Sequence, residues 1–211
     1  MKTLYIEDNT KVFFTSDPHY GHTNIIKFCN RPFNSFQDMN DVLINNWNDV
    51  IGEDDLCFIL GDFSMWGKQA WNNILDRLMG RKILIMGNHD KDKNVPIERF
   101  EIVTDGFLNL RIKDDDKDKD GQRITVCHYP MLSWYQSHRG AWQLFGHMHN
   151  NSIMPIEENL ENDEVADFMK QQHHYLMHLR NDQYDVGVDG NNFTPISYNQ
   201  VKKIILKKMA S

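Results

Sequence analysis

Short apolar runs that end in acids and imidazoles recur along this chain, and that pattern limits the folds open to it. "KVFFTS" (11–16) has a buried-strand pattern and runs into Asp17, Pro18 and His19, with His22 three residues on. "DLCFIL" (55–60) ends at Gly61-Asp62, and "RKILIMG" (81–87) ends at Asn88-His89-Asp90. "QRITVCH" (122–128) closes on His128, and "AWQLFGHMH" (141–149) on His147 and His149. Brief apolar runs bounded by turn signals are the mark of buried strands. Acids and imidazoles crowd the end of such a strand where something positively charged is held. Each end alone is weak: a single Gly-Asp is usually a turn, and two histidines at i and i+2 face opposite ways unless the chain bends. Five in one short chain are hard to read as turns.

The segments between these runs have helical spacing. "HTNIIKFCN" (22–30) reads as a short helix. "SFQDMNDVLINNWNDVI" (35–51) opens with Ser35 and Asp38 in a capping-box-like start and repeats apolar residues on one face. "KQAWNNILDRLMG" (68–80) is a helix closed by Gly80. Strand, helix, strand, helix, strand predicts an α/β sheet built partly from parallel strands, with its polar residues at the strands' C-terminal ends. The second half is richer in strands. "EIVTDGFLNLRI" (101–112) and 122–128 read as strands joined by the charged turn "KDDDKDKDG" (113–121), whose plain reading is a solvated hairpin tip. A calcium loop is the alternative there, but EF-hand spacing is missing. "YDVGVDG" (184–190) reads as one more strand and "SYNQVKKIILKKM" (197–209) as a closing helix. Together these predict one domain over 1–211, with a second sheet facing the first and a variable insertion at about 150–183.

Composition excludes several function classes. The formal net charge is −7, the wrong sign for gripping long nucleic acid, although bound cations would reverse the field around a small phosphate. The three cysteines, Cys29, Cys57 and Cys127, form no CxxC pair; Cys57 and Cys127 lie in apolar runs and read as reduced core residues. "MKTLYIEDNTK" carries acids and no long apolar run, so a signal peptide is not expected, and no stretch approaches the length of a membrane span. These features predict a cytoplasmic protein with no membrane partner.

In order, Asp17-x-His19, Gly61-Asp62, Gly87-Asn88-His89-Asp90, His128 and Gly146-His147-x-His149 resemble the motif series of the calcineurin-like metallophosphoesterase superfamily. The blocks "GNHD" and "GHMH" are the specific ones, and no ligand position departs from the series. "SDPHYGHTNIIKFCNRPF" and "VGVDGNNFTPIS" are similar to small bacterial- or phage-type members. The resemblance implies an α/β (α+β) fold of two facing mixed β-sheets flanked by helices, a four-layer sandwich. It implies two divalent transition metal ions, with Asp17, His19, Asp62 and His149 holding one and Asp62, Asn88, His128 and His147 the other. It also implies that His89 faces the phosphate as general acid, with Asp90 orienting its ring.

These residue types suit the chemistry. Oxygen ligands mixed with imidazole fit Mn²⁺, the first choice, and also Fe²⁺, Zn²⁺ or Ni²⁺. Two such ions clamp the attacking and leaving oxygens of an in-line displacement and lower the pKa of a shared water toward about 7. His22 and Arg31 are candidate substrate contacts, the second through the bidentate geometry of a guanidinium; a helix-start residue and a surface ion pair are their plainer readings. His173, His174 and His178 read as one exposed helix face, and Trp47, Trp66 and Trp71 as core. The insertion follows directly on His147 and His149 and is expected to border the active site.

The expected activity is therefore hydrolysis of a small phosphodiester or nucleotide by in-line attack of a metal-bridging hydroxide. A phosphomonoesterase, a nuclease and a catalytically silent metal-binding module are the alternatives. The longer blocks of protein phosphatases are absent, since Gly61-Asp62 runs into Phe63-Ser64-Met65-Trp66. A repair nuclease would need a basic groove. A silent module would have no need of His89. Nothing favours a redox enzyme, because no thiolate, haem or flavin motif is present. Oligomeric state is left open.

Overall fold

The computed structural model describes residues 3–7, 10–113, 121–149 and 178–211. Two five-stranded mixed sheets face one another. In chain order the strands are β1 (Thr3–Ile6), β2 (Val12–Thr15), β3 (Leu56–Ile59), β4 (Arg81–Met86), β5 (Ile102–Asp105), β6 (Phe107–Ile112), β7 (Gln122–Cys127), β8 (Trp142–Phe145), β9 (Gln183–Asp185) and β10 (Ile196–Ser197). The first sheet runs β10-β2-β3-β4-β5, with β2 to β5 parallel and β10 antiparallel at its edge. The second runs β1-β6-β7-β8-β9, with only the β6–β7 pair antiparallel.

The helices are α1 (Thr23–Phe28), α2 (Phe36–Val50), α3 (Lys68–Leu75) and α4 (Tyr198–Ala210). Ser35 caps α2 by accepting from the Asp38 amide at 3.1 Å, while the Asp38 carboxylate reaches the Asn34 amide rather than that of Ser35. The capping reading holds in position and differs in its return bond. At the other end of the chain, Ser197 and Gln200 make the complete box that starts α4.

The strands of the first sheet alternate between two cores, as the period of two requires. Phe13, Cys57, Ile59 and Leu84 point toward α1, α2 and α3, where they pack with Met39, Leu43, Trp47 and Trp71. Phe14, Phe58, Ile83 and Ile85 point into the space between the sheets and meet Leu110, Ile124, Val126 and Leu144. Phe14 and Phe58 stack across neighbouring strands at 5.5 Å. Each such side chain contributes about 1.5–3 kcal/mol by leaving water. α4 closes that second core, laying Val201 and Ile205 onto it and Tyr198 against Trp142. Cys29, Cys57 and Cys127 are buried and free of disulfides. Trp47 and Trp71 lie in the core, whereas Trp66 is half-exposed and packs on Phe36.

Three segments depart from the sequence reading. The run 101–112 is two strands in different sheets: Gly106 sits at φ +100°, where other residues are strained, and the chain crosses between sheets there. The run 184–190 is β9 followed by a 3₁₀ turn at Val188–Gly190. α3 stops at Leu75, five residues short of Gly80. The hairpin of β6 and β7 is present, but its tip (114–120) lies outside the described residues, as do His173, His174 and most of the expected insertion. No helix among the described residues is long and apolar enough to cross a membrane.

Candidate metal centre

Six parallel strand ends converge. β2, β3 and β4 are neighbours in one sheet, and β7, β8 and β9 in the other. Their C-terminal loops interlock: the Asp17 amide donates to the Gly61 carbonyl at 3.0 Å, the His19 amide to Asp62 O at 3.1 Å, and Ser16 bridges to Gly187. A Cβ on Gly61 would come within 2.6 Å of both Gly87 N and His128 Nδ1, so only glycine lets these loops approach. Asp17, His19, Asp62, His147 and His149 all have positive φ. Left-handed backbone costs roughly 1–3 kcal/mol per residue and collects at functional sites.

The side chains form two nests. The ligand atoms of Asp17, His19 and His149 lie within 4.8 Å of one another, and so do those of Asp62, His128 and His147. Asp62 sits between them, its Oδ2 3.6 Å from His19 Nε2 and 3.6 Å from His128 Nε2. Asn88 places its Oδ1 3.1 Å from His128 Nε2. All seven residues assigned as ligands from the sequence are thus brought together.

The donor set fits a cation. His128 Nδ1 lies 2.7 Å from the Leu60 carbonyl, which can only accept, so the proton is on Nδ1 and the Nε2 lone pair faces the oxygens of Asn88 and Asp62. Lone pairs facing oxygens repel unless a positive charge lies between them. His19 is buried, and neither of its ring nitrogens has a hydrogen-bond partner among the described residues; nor does Asp17 Oδ1. Such orphans are costly without a ligand. Burial, reinforced by the neighbouring cationic groups, pushes His19 well below the usual imidazole range. Burial likewise lowers His147 to about 4 and raises the Asp62 carboxyl. Burial thus favours the neutral, metal-binding form of His19 and His147, whereas at His149 burial is outweighed by the hydrogen bond to Asp189, which holds the imidazole well above its usual range.

Two of the expected roles change. Asp90 does not orient His89. Its buried carboxylate accepts from the amides of Asp62 (2.8 Å), Phe63 (2.9 Å) and Gly87 (3.0 Å), so it pins the two loops that carry Asp62 and Asn88. Arg31 is neither the expected phosphate clamp nor a surface ion pair. It is buried, with Nε and Nη2 on the two oxygens of Asp189 (2.7 and 2.8 Å) and further bonds to the carbonyls of Asp17 and Pro18. His22 lies at the rim, its ring 5.5 Å from that of His19. His89 is half-exposed, 3.9 Å from Asp62 Oδ2 and edge-on to His19.

Asp189 and Asp185 were missed. Asp189 Oδ2 is 2.7 Å from His149 Nδ1. Against the opposing effect of burial, its bonds to His149 and Arg31 lower its carboxyl below the usual range. Asp185 is buried beside Gly187 and is raised to about 7, chiefly by burial and then by the Asp17 charge. Asp185 ends the short strand Gln183–Asp185 and Asp189 lies in the 3₁₀ turn after it, so neither stands after an apolar run as the ligands do. Reading 184–190 as one continuous strand hid them. Cys29, His149 and Asp189 also cluster, but the Arg31 guanidinium occupies both Asp189 oxygens and leaves no room for a second cation.

The calcineurin-like phosphoesterase family model matches residues 10–174, and the chain belongs to that family. Metal-dependent phosphoester hydrolysis is the family's chemistry. An uncharacterized protein of Methanocaldococcus jannaschii is 29% identical over 93% of this chain and 92% of its own length. A Mycobacterium phage D29 protein, the product of its gene 66, is 38% identical over 39% of this chain and 41% of its own. Among solved structures, a protein of unknown function from Aquifex aeolicus superposes with a TM-score of 0.64 at 27% identity, covering 93% of this chain and all of that one.

Proposed function

We propose that the protein hydrolyses a small phosphodiester or nucleotide, with Asp17, His19, Asp62 and His149 holding one divalent ion and Asp62, Asn88, His128 and His147 the other. The observation that carries this reading is the central Asp62 carboxylate, which faces an imidazole of each nest at 3.6 Å. Mn²⁺ is the first candidate for both sites, because the donors are oxygen and imidazole with no thiolate. When bound, the ions supply Lewis acidity and a nucleophile at neutral pH.

The chain's own groups do the rest. His89 is a half-exposed imidazole beside the nests, placed to give a proton to the leaving oxygen. Its amide donates to Asp62 Oδ1 at 2.8 Å, which fixes the acid's backbone to the central carboxylate. His22 lines the rim and contacts the phosphate. Its pKa is lowered by burial and by His89 and Arg31, so it acts there as a neutral donor. Two exposed aromatics flank the cleft: Tyr129 packs on His147 at 4.8 Å, and Phe28 on His22 at 6.4 Å. Aromatic faces at a phosphate site suit a planar base, which supports a nucleotide over an aliphatic ester.

The test is hydrolysis of bis(p-nitrophenyl) phosphate beside p-nitrophenyl phosphate by metal-stripped protein given Mn²⁺, Ni²⁺ or Zn²⁺. Metal-dependent cleavage of the diester in excess over the monoester is the expected result. Cleavage of the monoester alone would make the protein a phosphatase. Two bound metals with no turnover of either would favour a binding module.

A further inference from the structure

We propose that Arg31 and Asp189 form a positioning unit for the nest of Asp17, His19 and His149, holding the His149 ring so that Nε2 faces Asp17. The inference rests on the reading of His149 as a metal ligand.

The geometry is continuous from one end to the other. Asp189 Oδ2 accepts from His149 Nδ1 at 2.7 Å, which leaves Nε2 directed at Asp17 Oδ1, 3.9 Å away. Arg31 grips both oxygens of that carboxylate and so fixes the direction in which it faces His149. The same guanidinium holds the loop at the opposite side of the nest through the carbonyls of Asp17 (2.8 Å) and Pro18 (3.0 Å). One buried cation therefore ties the backbone carrying Asp17 and His19 to the side chain that sets His149. Arg31 and Asp189 are 158 residues apart and both buried, so the pair is shielded from solvent. A carboxylate behind a metal-bound imidazole fixes its tautomer and orientation, and loss of such a partner typically weakens metal binding by about 10–100-fold. Removing only one member would strand a buried charge, which would confuse a folding defect with a positioning defect.

Two charge-neutral pairs separate those effects. Arg31→Met with Asp189→Asn keeps an oxygen for His149 Nδ1, whereas Arg31→Met with Asp189→Leu removes it. Metal-free protein of each is titrated with Mn²⁺ by calorimetry, with its thermal midpoint recorded. The Leu pair is expected to weaken one site by about 10–100-fold and leave the other as in the wild type, with the Asn pair, which loses the Arg31 grip but keeps the oxygen behind His149, weakened at the same site by clearly less than the Leu pair. Equal behaviour of the two pairs, or equal weakening of both sites, overturns the positioning role while leaving the phosphoesterase reading intact. A wild type that binds no metal removes that reading first. If neither pair folds, long-range ¹⁵N correlations of the Zn²⁺-loaded wild type decide. A proton on His149 Nδ1 supports the unit; metal or a lone pair at Nδ1 overturns it.

Discussion

His128 and His149 turn a ring nitrogen into the same cleft but are steadied from behind in different ways. His128, after β7, leans on a main-chain carbonyl, Leu60 O, at the end of β3 in the facing sheet. His149 leans on a carboxylate, Asp189, that needs a buried arginine beside it. A carbonyl anchor comes with the fold and adds no charge. A carboxylate anchor makes the imidazole more basic and demands a counter-charge, so it needs two further buried residues. The contrast teaches that one nest is set by the sheet and the other by a charged bridge laid over it.

The strongest way to break this contrast is to strike what the nests share. Asp62→Asn weakens a carboxylate that faces both sides, and kcat/KM on the diester is expected to fall by about 10³-fold or more, with fewer than two metals retained per chain. A smaller loss of turnover, about 10²–10³-fold, is expected for His89→Ala, this time with both metals still bound, since His89 belongs to neither nest. Elemental analysis beside initial rates distinguishes the two variants.

Effects on stability sharpen the contrast further. Burial raises Asp185, behind the Asp17 nest, to about 7, so the folded metal-free protein keeps a proton that the unfolded chain releases near pH 4. The stability this contributes is complete below about pH 4 and is lost as the pH rises through about 7. In Asp185→Asn that loss is absent, and the variant should gain on the wild type by up to about 4 kcal/mol across this window. Urea midpoints at several pH values read it directly; a constant difference would mean Asp185 titrates normally. On the other side, Asp90→Ala leaves two buried amides and one part-buried amide without their acceptor and should cost about 3 kcal/mol at pH 7, together with weaker binding in the Asp62 nest. The smallest effect is at the rim: Tyr129→Leu should raise KM for a nucleotide by about tenfold and leave cleavage of an aliphatic phosphodiester within about twofold.

The sequence made the sheet-built nest legible. Its ligands stand directly after apolar runs, and glycines beside them mark the close approach of the loops. The half of strand, helix and strand up to Met86 was readable for the same local reason, as was the Ser35 cap. The charged bridge was not, because it depends on an arginine in a loop and an aspartate 158 residues later. From sequence alone, an arginine near a ligand loop looks free to meet phosphate, and nothing local says that its partner is already inside the protein. Asp90 misled for a related reason: next to His89 in sequence, it turns its carboxylate inward to amides instead. The break at Gly106 was equally hidden, since the apolar pattern continues on both sides of it.

Metal stoichiometry distinguishes a two-nest site from a single one. Metal-stripped wild type, His19→Ala and His128→Ala would each be equilibrated with Mn²⁺, and bound metal counted per folded chain. Two nests predict two ions in the wild type and one in each variant. Fewer than two in the wild type, or two remaining in both variants, would contradict the account.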